Sequence, residues 1–207
     1  MGFGIKKPDD EPGAAWPAIM VGAFAAFAGI LYGYDTGTIS GIQEMPYWKN
    51  EFGNPDSNQV SLIVSILSVG TFFGALAGGY LSDKIGRKWG IIVCAAFPFN
   101  LGVALQVAST SQPMFIAGRF FAGLGVGLIS TQVPMYQSET LPKWIRGFIV
   151  GAYQLCITIG LLLASLINYG TQNRPDSGSY RIPLAIQFLW SLILVSSRVL
   201  RLNHYQS

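Results

Sequence analysis

Residues 114–136, MFIAGRFFAGLGVGLISTQVPMY, form an apolar run that is long enough to cross a lipid bilayer, yet it contains Arg119. An unpaired guanidinium within the bilayer is unfavourable by about 2.5 kcal/mol or more, so Arg119 should face a protein partner or a wet cavity. Gly123 and Gly127 follow at steps of four, which places them on the helical face of Arg119. We therefore predict that this face packs against other helices. The alternative is that Arg119 extends to the membrane surface and anchors the helix there.

The composition of the whole chain is also typical of a membrane protein with several spans. The 207 residues are 51% hydrophobic and 11% charged, and the apolar residues come in runs of membrane-spanning length. The absence of a clustered basic face argues against a nucleic-acid binder. Cys94 and Cys156 lie in apolar runs without a Cys/His cluster, so neither a disulfide framework nor a metal site is supported. No cofactor is expected. The chain also lacks a nucleophile–base set or paired carboxylates facing a cleft, which argues against an enzyme.

The apolar runs predict an all-α integral membrane protein with five clear spans and a marginal sixth. The sixth run is interrupted by Arg198 and Arg201, which leaves it short for a clean crossing. The five clear spans are predicted at residues 17–34, 59–81, 89–108, 114–136 and 147–169. We divide the chain into a cytosolic segment, a six-helix unit and a divergent tail, at residues 1–16, 17–200 and 201–207.

Charge asymmetry predicts the orientation of the chain. The first sixteen residues are polar and carry three carboxylates, which favours a cytosolic amino terminus without a cleavable signal. With that terminus inside, the outer loops hold only Lys49, Arg174 and Arg181. Apart from Arg119 within its span, the remaining Lys and Arg residues lie in the inner segments, as the positive-inside rule requires if the sixth span crosses: Lys6, Lys7, Lys84, Arg87, Lys88, Lys143, Arg146, Arg198 and Arg201.

Asp35 is the candidate partner of Arg119. The first span runs outward and ends near Asp35, whereas the fourth begins outside and reaches Arg119 within two turns. Both charges are therefore predicted in the outer half of the membrane, on different helices. Such a pair fits either a structural salt bridge or a protonation gate.

Polar residues of the fifth span share one side of the helix. Gln154, Thr158, Ser165 and Asn168 are separated by steps of four, seven and three, which return to nearly the same face. Two interpretations remain open at this point. The stripe either forms hydrogen bonds between helices, each worth about 0.6 kcal/mol, or lines a water-filled pathway.

Two further patterns concern the surroundings of the spans. Gly70, Gly74 and Gly78 give the second span one smooth face for close packing. In the loop after the first span, the aromatic residues suit a membrane interface: Tyr47, Trp48 and Phe52.

Several motifs resemble the major facilitator superfamily. The sequence GYLSDKIGRK at 79–88 resembles its loop signature between the second and third helices. A second set of motifs resembles the sugar porter family, a branch of this superfamily. The set consists of Arg119 with GLGVG at 123–127, PMYQSE at 134–139 and Arg146-Gly147. The sequence GYDTGTISG at 33–41 is similar to fungal hexose transporters and their glucose-sensor relatives.

The resemblance implies the amino-terminal half of a twelve-helix transporter that works by alternating access around a central sugar site. It implies a multi-pass protein of the plasma membrane that binds a small sugar. Gln154 and Tyr32 fall where the family contacts sugar, and Thr158 lies beside Gln154 on the same stripe. Asp35 and Arg119 fall on the pair linked to proton symport, although facilitative fungal members keep the aspartate. The family's inner charge latch matches Asp83, Arg87, Glu139 and Arg146.

The chain departs from the family at its end. After residue 194 the expected family sequence is replaced by VSSRVLRLNHYQS, and a second half with most sugar contacts of the family is expected to be missing. Three hypotheses follow: a hexose transporter, either facilitative or proton-coupled; a glucose sensor that does not transport; and an inactive fragment. The second half is therefore an expected partner, together with sugar, protons and the lipid bilayer.

Overall fold

The protein is an α-helical bundle in this computed structural model, which describes residues 15–53, 55–85, 95–141 and 143–204. A π-helical turn, Ala95–Phe99, leads directly into the fourth of seven α-helices in these ranges. The helices are α1 (Ala15–Ile42), α2 (Pro46–Glu51), α3 (Ser57–Ile85), α4 (Asn100–Val107), α5 (Gln112–Thr140), α6 (Lys143–Thr171) and α7 (Gly178–His204). The all-α prediction is confirmed.

Three of these helices contain segments that are long and apolar enough to cross a membrane. They are Ser57–Leu81 in α3, Gln112–Glu139 in α5 and Ile145–Thr171 in α6. A shorter apolar helix covers Phe97–Val107. In α7 the helix continues without a break past Arg198 and Arg201, so these arginines interrupt the apolar run but not the backbone geometry.

Glycines bring α1 and α6 into close contact. A side chain at Gly33 would meet the backbone of Ile157, and one at Gly160 would meet the carbonyl of Ile30. Contacts advance in the same direction along both helices, from Gly29 beside Tyr153 to Gly41 beside Asn168, so the helices run parallel. Small residues allow this backbone approach, which supplies the dispersion contacts that hold helices together in lipid.

The smooth face of the second span packs in the same way. Gly70 lies against the carbonyl of Phe120, and Gly74 lies against Leu124 and Gly127 of α5. From the other side, Gly123 of α5 meets the backbone of Leu67. The prediction that this α3 face is suited to close packing is confirmed, and so is the prediction that the Arg119 face of α5 is packed.

An apolar cluster closes the bundle at the end of α1. Trp48 of α2 is fully buried there, and its ring packs against Phe52 and Phe115. Gln112 of α5 donates a hydrogen bond from Nε2 to the Phe52 carbonyl at 2.8 Å, which fixes the loop after α2. Tertiary packing buries Trp48 and Phe52, whereas Tyr47 is only partly buried. Their position at a membrane interface stays a prediction.

Candidate functional site

Arg119 and Asp35 form a buried ion pair between α5 and α1. Arg119 Nη1 lies 3.1 Å from Asp35 Oδ1, and both side chains are 0% exposed. The pairing agrees with the prediction from matched depth along the two helices. It also excludes the alternative of an arginine that extends to the membrane surface. In this low-dielectric setting each charge requires the other, because a lone buried ion is strongly unfavourable.

Two amide side chains complete the cluster. Gln187 of α7 donates a hydrogen bond from Nε2 to Asp35 Oδ1 at 3.0 Å. Gln106 of α4 accepts one from Arg119 Nη1 at 3.4 Å and donates from Nε2 to the Gly118 carbonyl at 3.3 Å. The cluster therefore joins α1, α4, α5 and α7. Sequence reasoning missed both glutamines, although an amide inside an apolar run is a signal that a buried polar partner is required.

The hydrogen-bonding capacity of the cluster is only partly used. Among the described residues, Asp35 Oδ2, Gln187 Oε1, Arg119 Nε and Arg119 Nη2 have no hydrogen-bond partner. All four atoms are buried, so their desolvation is uncompensated within the described part of the chain. Such a cluster can gain hydrogen bonds when its protonation state or its helix positions change.

Further hydrogen bonds fix α1 beside the ion pair. Tyr34 donates from its hydroxyl to the Pro183 carbonyl of α7 at 3.0 Å. Thr38 donates from Oγ1 to the Tyr34 carbonyl at 2.6 Å, within α1. The Pro183 carbonyl lies one turn before Gln187, so α7 contacts the Asp35 region of α1 at two successive turns.

The polar stripe of the fifth span divides into two parts. Asn168 is buried and donates from Nδ2 to the carbonyls of Gly37 and Thr38, at 3.2 and 3.1 Å. It is therefore a hydrogen-bonded contact between α6 and α1. Gln154, Thr158 and Ser165 are exposed instead. The interpretation as a hydrogen bond between helices is therefore confirmed for Asn168, whereas the water-filled pathway stays a prediction for the three exposed residues.

A matching polar face lies on α1. Tyr32 is partly exposed, and Thr36 and Ser40 are exposed at successive steps of four. Because α1 and α6 run parallel, the rotation per residue directs this face of α1 to the same side of the helix pair as Gln154 and Thr158. The two helices therefore share one polar surface beside their glycine contact. Leu155 and Leu166 are also exposed but lie on another part of the α6 surface.

Three charged residues of the predicted inner latch lie at the opposite end of the bundle from Trp48. Asp83 is near the end of α3, Glu139 is near the end of α5, and Arg146 is in the first turn of α6. Arg146 donates from Nη2 to the Leu141 carbonyl at 3.2 Å. Arg87 lies outside the described residues, so the latch as a unit stays a prediction.

Comparison with known proteins identifies the family. Residues 21–200 match the family described as Sugar (and other) transporter. The chain belongs to this family. It is 60% identical over 210 residues to "Major facilitator-type transporter ecdD" of Aspergillus rugulosus, with 97% of this chain and 39% of that relative covered. This sugar transporter family member is also 46% identical to "High glucose sensor RGT2" of Saccharomyces cerevisiae, over 86% of the chain and 24% of the relative.

A third relative and two solved structures agree with this assignment. "Probable glucose transporter rco-3" of Neurospora crassa is 44% identical over 93% of the chain and 34% of the relative. The inward-open xylose transporter XylE from E. coli matches with a TM-score of 0.77 at 27% identity, over 88% of this chain and 48% of that one. The proton:xylose symporter XylE bound to 6-bromo-6-deoxy-D-glucose gives a TM-score of 0.78 at 27% identity, over 90% and 45%.

These matches define the fold and its extent. The chain is a multi-pass membrane protein with the fold of the amino-terminal half of a major facilitator bundle. It spans 39% or less of the three curated relatives named above.

Proposed function

We propose that the chain forms one half of a transporter that moves a hexose across the membrane by alternating access, either facilitatively or coupled to protons. The observation that carries the proposal is the polar surface shared by α1 and α6. An exposed row of hydroxyl and amide groups is unfavourable against lipid, so such a surface favours a hydrated pathway. The opposite wall of that pathway would come from a second bundle, as the greater length of the relatives supports.

The side chains of this surface suit a sugar. The Gln154 amide can donate to one sugar hydroxyl and accept from another, and Thr158 can do either. Tyr32 offers the face of an aromatic ring to the apolar side of the sugar, together with a polar hydroxyl. These three residues are the proposed substrate contacts.

The ion pair supplies a means of coupling. Protonation of Asp35 would remove the negative charge beside Arg119 and leave a buried guanidinium without an ionic partner. That state is unfavourable, so it favours movement of α5 relative to α1. The similarity to the proton:xylose symporter XylE supports this proton-coupled alternative, whereas facilitated diffusion requires only the alternating exposure of the polar surface.

The proposal also covers the inner charge latch, the orientation of the chain and the membrane in which it lies. Asp83, Arg87, Glu139 and Arg146 would form a charge latch that holds the inner helix ends together in one conformation. The loop charges favour a cytosolic amino terminus, with the Asp35 pair towards the outer surface. The plasma membrane is the proposed location, because uptake of an external sugar requires it.

A second candidate is a glucose sensor that binds sugar without transporting it. The observation in its favour is the 46% identity to a relative named as a high glucose sensor. A sensor would use the same polar surface for binding, but its conformational change would serve a signal instead of net movement of sugar.

The test is uptake of labelled glucose by the protein reconstituted in vesicles, with and without a pH gradient. Gln154→Ala should weaken glucose binding roughly 10-fold, because loss of a hydrogen bond to bound substrate is worth about 1–3 kcal/mol. Leu155→Ala is the matched control, since Leu155 is the adjacent exposed position on the apolar part of α6. Its effect on binding should be small.

The outcomes separate the candidates. Saturable uptake that Gln154→Ala weakens supports transport, and dependence on the pH gradient that Asp35→Asn abolishes supports proton coupling. Saturable binding without uptake supports the sensor. If Gln154→Ala and Leu155→Ala have equal effects on binding, the polar surface is not the sugar site.

A further inference from the structure

Gln187 is placed to recognise the protonation state of Asp35. Its Nε2 donates to Asp35 Oδ1 at 3.0 Å, and the side chain is 1% exposed. The orientation of this amide follows from charge, because its oxygen would be repelled by a carboxylate oxygen in the same position. Because Nε2 makes the contact with Asp35, the amide oxygen Oε1 does not, and it has no hydrogen-bond partner among the described side chains and backbone groups.

Asp35 likewise has one carboxylate oxygen that makes no hydrogen bond. Its Oδ2 is buried and, within the described ranges, also lacks a hydrogen-bond partner. While Asp35 is ionised, Oδ2 and Gln187 Oε1 are both acceptors and cannot bond to each other. A protonated carboxyl group changes this, because its O–H becomes a donor.

We propose that Gln187 forms a two-hydrogen-bond acid–amide pair with protonated Asp35 and thereby acts as a positioning residue for both protonation states. In the neutral state, Nε2–H would still donate to Oδ1, and the new Oδ2–H would donate to Oε1. Carboxyl and carboxamide groups are planar and similar in size, so a rotation about the ends of the two side chains aligns them. This inference rests on the proposed function in one respect: protonation of Asp35 has a role in transport only if the chain is part of a proton-coupled transporter.

The proton balance of the step is simple. A proton from the aqueous phase binds Asp35 Oδ2 and forms the O–H bond, and the carboxylate charge is neutralised. Arg119 keeps its own proton, because a guanidinium is not deprotonated in proteins. The contact between Arg119 and Asp35 changes from an ion pair to an ordinary hydrogen bond, whereas the contact between Asp35 and α7 gains a hydrogen bond. Protonation thus moves the attachment of α1 from α5 towards α7.

The groups around Asp35 leave Gln187 as the suitable acceptor. The charged side chain hydrogen-bonded to Asp35 in the described structure is Arg119 of α5, which is a donor only. On α1 itself, the Tyr34 hydroxyl already donates to Pro183 of α7. The titratable α6 residues that face α1, Tyr153 and Cys156, lie beside Gly29, more than one turn from Asp35. On α4, Gln106 uses its amide to accept from Arg119 and to donate to the Gly118 carbonyl.

Infrared difference spectroscopy of the purified 207-residue protein in lipid tests the proposal. Acidification should produce a carboxylic acid C=O band that is absent in Asp35→Asn, at the frequency of a hydrogen-bonded acid. Gln187→Met, which keeps the length of the side chain but removes both amide atoms, should shift this band towards the frequency of a free acid. Gln187→Leu provides a second variant, and the size-exclusion profile and helical circular dichroism show that each protein is folded.

Gln106→Met is the matched control, because it removes an amide that contacts Arg119 but not Asp35. The band should stay in place in this variant. The proposal is overturned if no band depends on Asp35 at any pH, or if the wild-type band has the frequency of a free acid. It is equally overturned if Gln106→Met shifts the band as much as Gln187→Met. These results do not depend on sugar uptake, so a failure of transport with an intact band shift removes the proposed function alone.

Discussion

At the scale of single residues, the Asp35–Arg119 pair shows how a bilayer makes a charge informative. A surface ion pair in water is worth about 1 kcal/mol or less, so its position constrains a fold weakly. Both side chains here are fully buried, and loss of either partner leaves an uncompensated charge. The glutamines on α4 and α7 add donors and acceptors around the pair, which restricts the orientation of both charged groups.

A double-mutant cycle tests this dependence. Arg119→Leu should destabilise the protein by about 3–5 kcal/mol, because it leaves the Asp35 carboxylate buried without its cation. Asp35→Leu should have a similar effect for the converse reason. The double variant should be much less destabilised than the sum of the two, since both charges are then absent. Thermal unfolding in lipid or detergent provides the measurement, and additive effects would contradict a direct coupling.

At the scale of helices, glycines determine how closely the elements approach. The α1–α6 and α3–α5 pairs both have glycines on the contact face of each helix. Without a hydrophobic driving force between helices in lipid, this close contact is a main source of association.

Two glycines of α6 provide a matched test of this packing. A side chain at Gly160 would meet the Ile30 carbonyl and the backbone of α1, whereas at Gly151 nothing in the described structure lies within 4 Å. Gly160→Ala should therefore destabilise the protein by about 1–3 kcal/mol. Gly151→Ala should be neutral or stabilising by up to about 1 kcal/mol, because alanine favours helix more than glycine does. Equal thermal stabilities of the two variants would show that the α1–α6 contact is looser than described.

At the scale of the whole molecule, the bundle has surfaces of different character. The α1–α6 polar surface lies on one side, and large apolar side chains are exposed elsewhere on α3 and α6, including Phe72, Leu76 and Leu166. Exposed apolar groups are normal where lipid is the solvent. A polar surface in the same bundle is the feature that requires a separate explanation, and the proposed sugar pathway supplies one.

Cysteine accessibility distinguishes the two kinds of surface. In a background with Cys94 and Cys156 replaced by alanine, Thr158→Cys should react readily with a water-soluble, membrane-impermeant thiol reagent. Leu166→Cys should react slowly, because a thiolate does not form readily in lipid and the reagent does not enter it. Glucose should slow only the reaction at position 158. Equal rates at the two positions in reconstituted protein would argue against a hydrated α1–α6 surface.

Much of this arrangement could be predicted from the sequence, because the bilayer constrains the length, residue spacing and charge positions of each helix separately. Run lengths indicated the spans, and steps of four indicated the packed glycine faces and the packed face of Arg119. The depth of two charges along their own helices was enough to pair Asp35 with Arg119, although they are 84 residues apart. In each case the constraint depends on the position of a residue along one helix and on the high free energy of an unpaired charge in lipid.

By itself, then, the sequence determined the membrane class, the packed arginine and its partner. Only the tertiary structure decided that Gln187 and Gln106 complete the cluster, that Asn168 packs against α1 while Gln154 stays exposed, and that Trp48 is buried. These outcomes depend on how each helix is rotated against neighbours as distant as 152 residues in the chain. Rotation follows from the sum of many contacts between helices, and no single helix contains that information.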